Sequence, residues 1–323
     1  MDKATLFILC VIILAFFFDF INGFHDASNA IATIVTTGVL SPRQAVLWAA
    51  FFNFIAFFLF NLMVAKTIGQ GIIDPQIISP HLIFAALTAA ISWGLLTWFY
   101  GLPSSSSHAL IGGLAGAAIA TGGLSTLEMS GFIKVGIGIF FSPVLGLIAS
   151  LLIHYILHSK KIVSDKFFKR LQLISSALLS VAHGGNDAQK TMGIITTLLF
   201  SAAWLEGPFI IPFWVVFSCY AVISLGTLCG GFRIVHVLGK GITPLNSMRG
   251  SAAEAGAAAV ILIATELGVP VSTTQTVTGS IAGVGFLNKE ALTHWPMVRR
   301  IFASWLLTLP ATGLIAAGIM YFS

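Results

Sequence analysis

Apolar stretches of about 20 residues follow one another from end to end of this chain, the length an α-helix needs to cross the hydrocarbon of a bilayer. Of its 323 residues 57% are hydrophobic and only 8% charged, whereas a soluble domain carries about 25% charged residues. So few charges cannot cover the surface of a soluble protein. The mean hydropathy of +0.98 agrees. The apolar runs are continuous rather than alternating, which argues against a β-barrel. The expectation is an all-α polytopic membrane protein crossing the bilayer about ten times.

Crossings are predicted at roughly 5–24, 44–65, 82–100, 103–121 and 132–157, and again at roughly 171–200, 208–229, 250–268, 270–287 and 300–322. The first run, Thr5 to Phe20, is followed by Asn22-Gly23-Phe24-His25-Asp26 instead of a small-residue cleavage site, so it reads as a membrane helix and not a signal peptide. Cys10, Cys219 and Cys229 lie in apolar runs without metal-ligand spacing and read as small core residues. The net charge of +5 sits mostly in loops, which suits a cytoplasmic membrane rim and calls for no nucleic acid.

The two sets of crossings read as one unit written twice. Asn22-Gly23-Phe24-His25-Asp26-Ala27 is echoed by His183-Gly184-Gly185-Asn186-Asp187-Ala188, with Asp187 161 positions after Asp26. Leu102-Pro103-Ser104-Ser105-Ser106-Ser107-His108 is echoed by Val269-Pro270-Val271-Ser272-Thr273-Thr274-Gln275, with Pro270 167 positions after Pro103. Two matches at nearly one offset indicate a repeat. The domains are then 1–158, a basic cytoplasmic linker at 159–170 carrying Lys160, Lys161, Lys166, Lys169 and Arg170, and 171–323. Arg233, Lys240, Arg249, Lys289 and Arg299 charge loops of the second unit whose counterparts in the first are nearly neutral. The positive-inside rule therefore predicts inverted repeats of about five segments each, with both termini outside the cytoplasm. That architecture belongs to secondary transporters.

Backbone breaks at membrane depth are tolerated mainly where they line a cavity. Asn22-Gly23 and Gly184-Gly185 are poor helix interiors, and Pro103 and Pro270 suit the first turn of a new helix. The hydroxyls of Ser104, Ser105, Ser106 and Ser107, and of Ser272, Thr273 and Thr274, follow these prolines. Free N–H groups and hydroxyls at two helix starts would suit an oxyanion. Asp26 and Asp187 are costly in a membrane and mark an ion pathway. Asn29 shares a helix face with Asp26, and together they suit a small hard cation. Lys190 holds the equivalent place after Asp187 and can touch phosphate or pair with that aspartate. Asp19 and Glu254 are further candidates for proton handling, and His25 and His108 could titrate or stay neutral. Runs such as Gly112-Gly113-Leu114-Ala115-Gly116 read as helix packing. No phosphate-binding loop ending in Lys-Ser or Lys-Thr and no HExxH is present, so neither ATP drive nor a catalytic metal is expected within this chain.

At these residues the sequence resembles the inorganic phosphate transporter (PiT) family, with the look of its bacterial low-affinity members. The resemblance rests on Gly23-Phe24-His25-Asp26-Ala27-Ser28-Asn29-Ala30, on His183-Gly184-Gly185-Asn186-Asp187-Ala188-Gln189-Lys190, and on the two proline–hydroxyl segments. It implies a non-enzymatic, multi-pass carrier of the inner membrane that imports inorganic phosphate with a coupling cation. Phosphate would be held by the hydroxyls at 104–107 and 272–274 with Lys190. The cation or coupling residues would be Asp26, Asn29, Asp187 and Asn186. The family pattern has Asn where this chain has His25 and Lys190, and often His where it has Gln275. The changes at His25 and Lys190 resemble the proton-coupled, metal–phosphate branch. A lysine near a sodium ion would also repel it, so protons are expected to drive transport over sodium. Sodium coupling, or carriage of another tetrahedral oxyanion such as sulfate, is the alternative. Membrane lipid is the expected surrounding, no cofactor is expected, and a homodimer is compatible with the sequence.

Overall fold

The computed structural model describes residues 2–159, 164–286 and 293–322. Among them are twelve α-helices: α1 (Lys3–Thr36), α2 (Pro42–Ile55), α3 (Met63–Gln70), α4 (Pro80–Phe99), α5 (Ser106–Gly122), α6 (Met129–Ser159), α7 (Asp165–Ser201), α8 (Phe213–Cys229), α9 (Phe232–Lys240), α10 (Ser247–Glu266), α11 (Thr273–Gly283) and α12 (Trp295–Phe322). α1, α4, α6 and α12 are each long and apolar enough to cross a membrane, and α2–α3 and α8–α9 are pairs bent by 83° and 76°. That makes four to six such spans where ten were expected. The difference has a physical source: α5 and α11 have 17 and 11 residues, α7 buries polar groups along its middle, and α10 carries Arg249, Glu254 and Glu266 within its 20 residues.

The fold is apolar outside and polar at its centre. Ile13, Phe17, Phe140, Leu314 and other large side chains stand exposed, as a surface solvated by lipid tails requires. Cys10 and Cys229 belong to this outer surface, and only Cys219 is a core residue. Helix starts are fixed locally. Ser41 and Gln44 form a capping box before α2, and Ser79 caps α4 with Pro80 next to it, satisfying backbone N–H groups that have no partner within the helix.

The expected breaks at Asn22-Gly23 and Gly184-Gly185 do not occur, because both pairs lie inside unbroken helices, α1 and α7. Their glycines serve close packing instead. A Cβ on Gly23 would collide with the carbonyl of Ile223 in α8, and one on Gly184 with the backbone of Asn53 in α2. The real breaks follow α4 and α10. Gly101 and Gly268 both take φ of +64°. Leu102 N–H donates to Thr97 O at 2.9 Å and Val269 N–H to Ala264 O at 2.8 Å. Both are Schellman closures, which favour glycine at that position. Pro103 and Pro270 then stand two residues before the N-caps Ser105 and Ser272, not in the first helical turn as expected.

Contacts fix the directions of these helices. Asp19 of α1 meets Thr191 of α7, while Thr37, which caps the end of α1, meets Gln172 of α7, so the two helices are antiparallel. Phe7 stacks on His81 and Phe24 packs on Trp98, so α4 runs with α1. Ser175 meets Glu254 and Asn186 meets Thr265, so α10 runs with α7. The hairpins α4–α5 and α10–α11 therefore approach from opposite ends. Their tips touch where Ser107 Oγ donates to Val271 O at 2.9 Å and His108 Nε2 lies 3.4 Å from Gln275 Nε2. α6 ends at Ser159 and α7 begins at Asp165, so Lys166, Lys169 and Arg170 lie in the first turns of α7. Lys160, Lys161 and Lys289 lie outside the described residues.

Candidate functional site

Asp26 and Asp187 meet where α1 crosses α7, both essentially without solvent exposure. The first residue of α11 joins them. Thr273 Oγ1 lies 3.3 Å from Asp26 Oδ2 and 3.2 Å from Asp187 Oδ2. The next residue extends the contact, with Thr274 Oγ1 3.2 Å from Asp26 Oδ1 and accepting from Asn29 Nδ2 at 2.9 Å. The amide oxygen of Asn29 is buried without a partner. On the other flank Lys190 Nζ donates to Asp187 Oδ1 at 2.5 Å. An aspartate, an amide and two hydroxyls thus face each other on one side, and a closed ion pair stands on the other.

His183 completes the cluster, and it was missing from the residues expected at the site. It lies one turn before Asp187 on α7, with Nε2 3.3 Å from Asp187 Oδ2 and 4.0 Å from Asp26 Oδ2. Asp26, His183 and Asp187 each offer one ligand atom, all within 4.8 Å of one another, a spacing that can hold a cation. The signal was the i, i+4 spacing of His183 and Asp187, which places both on one face of a continuous helix. Asn53 of α2 faces the other ring nitrogen of His183 at 3.3 Å and is itself bonded to Thr227 of α8 at 2.8 Å.

The remaining candidates divide. Ser105 and Ser272 cap α5 and α11, their oxygens accepting from the N–H groups of His108 and Gln275, which leaves each hydroxyl its own proton to donate. Ser107 is occupied by Val271. Ser104 pairs with Thr97 at 2.7 Å and lies 3.5 Å from His25 Nε2, while His25 Nδ1 lies 3.1 Å from Asp26 Oδ1. Ser106 is half-buried and borders a small pocket with Asn22, whose amide has no partner on either atom. Asn186 turns away from the aspartates and donates to Thr265 of α10 at 2.9 Å. Asp19 and Glu254 lie outside the cluster. Asp19 accepts from Thr191 at 2.9 Å. Glu254 accepts from Thr33, Ser175 and Gln172 at 2.5, 2.5 and 3.0 Å. Every donor to Glu254 is neutral, so it serves as a polar tie among α1, α7 and α10.

What this arrangement can do is bounded by its burial. Charged groups cost several kcal/mol in such surroundings unless paired or hydrogen-bonded, and they persist in membrane helices where an ion or substrate passes. Two helix N-termini, α5 and α11, converge on the same place, and N-terminal N–H groups favour an anion. An anion and a cation can therefore share the centre, each lowering the cost of burying the other.

A charged centre reached by two hairpin tips, inside an all-α membrane fold, defines a secondary transporter. The model of the phosphate transporter family matches residues 22–165 and 158–316, and the chain belongs to that family. A probable low-affinity inorganic phosphate transporter of Rhizobium meliloti (strain 1021) is 52% identical over 330 residues, covering 100% of this chain and 98% of its own. One of the same name from Bacillus subtilis (strain 168) is 42% identical, with coverage of 100% and 98%. A solved structure described as "The sodium-dependent phosphate transporter" superposes with a TM-score of 0.88 at 25% identity, over 98% of each chain. The protein is thus a multi-pass transporter of the inner membrane that moves inorganic phosphate by secondary transport, and not an enzyme.

Proposed function

We propose that the chain is a phosphate importer in which sodium is the coupling cation and binds beside Asp26. The observation that carries this reading is the buried, unpartnered amide oxygen of Asn29. It stands with the Asp26 carboxylate and the Thr273 and Thr274 hydroxyls, which are hard oxygen donors suited to a small cation. The likeness to a protein described as sodium-dependent supports the same ion. Lys190 was the reason to expect protons instead. Its ammonium is already engaged by Asp187 Oδ1 at 2.5 Å, so the pair is close to neutral and repels a cation at Asp26 far less than a lone lysine would.

Phosphate is assigned to the N-termini of α5 and α11, with Ser106, Thr273 and the N–H groups of those first turns as its nearest donors. The opposed hairpins support two inverted repeats, 1–158 and 171–323, with the termini outside. The test is phosphate uptake by purified protein in sealed vesicles. A sodium gradient at constant pH is compared with an inward proton gradient at equal sodium. Accumulation driven by sodium is expected. A response to protons alone would return the proton reading. Competition by sulfate, or a requirement for a divalent metal with phosphate, would redefine the cargo.

A further inference from the structure

Asp19 has no role in the site described so far, yet it is a fully buried carboxylate. Its Oδ1 accepts from Thr191 Oγ1 at 2.9 Å, and its Oδ2 has no partner. Among the described residues no lysine, arginine or histidine forms an ion pair with it. Beside Thr191 in the chain stands Lys190, the largest charged side chain that is fully buried. An ammonium has three donors, and Lys190 uses one of them, on Asp187. A spare acceptor and spare donors thus flank one residue, Thr191. Along α7, Asp187 lies about 4.5 Å behind Lys190 and Thr191 about 1.5 Å ahead of it. A four-carbon side chain spans both levels.

We propose that Asp19 is the second station of the Lys190 ammonium, which leaves Asp187 for Asp19 when the coupling cation binds between Asp26 and Asp187. This rests on the sodium-coupled reading above. With the ammonium at Asp187, a cation a few ångströms away meets a like charge. With the ammonium at Asp19, Asp187 Oδ1 is released to the cation and the lysine keeps a carboxylate partner, so no charge is left buried alone. Asp19 is then a positioning residue. It touches neither phosphate nor cation, and it sets how tightly the cation binds through the lysine. The first repeat has the neutral Asn29 where the second has Lys190, and Asp19 supplies what the lysine requires.

The test is the sodium half-saturation of phosphate uptake in vesicles, at saturating phosphate. Asp19→Asn is expected to raise it about tenfold, because the lysine then stays on Asp187. Asp19→Glu keeps the acceptor and is expected to stay within about twofold of the unsubstituted protein. In a Lys190→Asn background, Asp19→Asn is expected to change nothing. A merely structural aspartate would give the same penalty with or without the lysine, and that outcome overturns the proposal. Should Asp19→Asn not fold, infrared difference spectra of the unsubstituted protein and Asp19→Glu decide. Sodium addition should shift the carboxyl band that moves with the substitution, and an unmoved band rejects the idea. Uptake by the unsubstituted protein that ignores sodium would instead remove the coupling reading itself.

Discussion

Asn29 donates its amide to Thr274 at 2.9 Å across 245 positions of chain, which ties the C-terminal part of α1 to the tip of the α10–α11 hairpin and leaves the amide oxygen of Asn29 buried without a donor. The motif of the first half is thereby completed by the hydroxyls of the second. An oxygen in that state is costly unless a cation or water meets it.

Replacing Asn29 with Ala removes that oxygen and the bond to Thr274. The sodium half-saturation of uptake is expected to rise about tenfold or more, while stability falls by about 1 kcal/mol, the net worth of one hydrogen bond. Sodium titration and thermal melting of the same preparation check both.

Asp26 and Asp187 differ in what their loss costs. Either change to Asn is expected to reduce uptake to near background. Asp187→Asn also takes from Lys190 the carboxylate it pairs with and leaves Asp19 as its acceptor, so it is expected to cost stability, but less than the about 3–5 kcal/mol of breaking a buried pair outright. Adding Lys190→Asn should recover most of that stability and none of the uptake. Melting temperatures of the single and double variants separate the two effects.

Gly23→Ala and Gly184→Ala are expected to destabilise the protein by about 1–3 kcal/mol, in the range of overpacked cores. The added methyl meets rigid backbone, at Ile223 and Asn53 respectively. Gly136→Ala and Gly318→Ala meet nothing within 4 Å and are expected to leave the melting temperature unchanged or slightly raised.

Ser41 follows the C-terminal end of α1 and Ser201 closes α7, and both are exposed. Because α1 and α7 are antiparallel, cysteines at these two positions are expected to react with a membrane-impermeant reagent from opposite sides, Ser41 from the cytoplasm. Labelling of both from one side would contradict the inverted arrangement.

The chemistry of the centre was legible in the sequence, because Asp26 and Asp187 are too costly in a membrane to be incidental and the proline–hydroxyl segments mark helix starts. What was not legible is where the backbone gives way. Glycine next to a polar motif reads as a break, and in α1 and α7 it serves close helix approach. That misreading hid His183, whose place one turn from Asp187 follows only if the helix continues through Gly184-Gly185. The engagement of Lys190 by Asp187 was weighed from spacing, but its consequence for the coupling ion needed the geometry around Asn29. Apolar windows do not distinguish a helix that crosses from one that ends in a hairpin tip, as α5 and α11 do.

The central claim is that sodium binding beside Asp26 and phosphate movement are one event. Labelled sodium and labelled phosphate followed in the same vesicles, at constant pH and clamped potential, measure this directly. Phosphate is expected to stimulate sodium influx in fixed proportion to its own, with both fluxes lost together in Asp26→Asn. Phosphate entry with sodium influx unchanged would contradict the account.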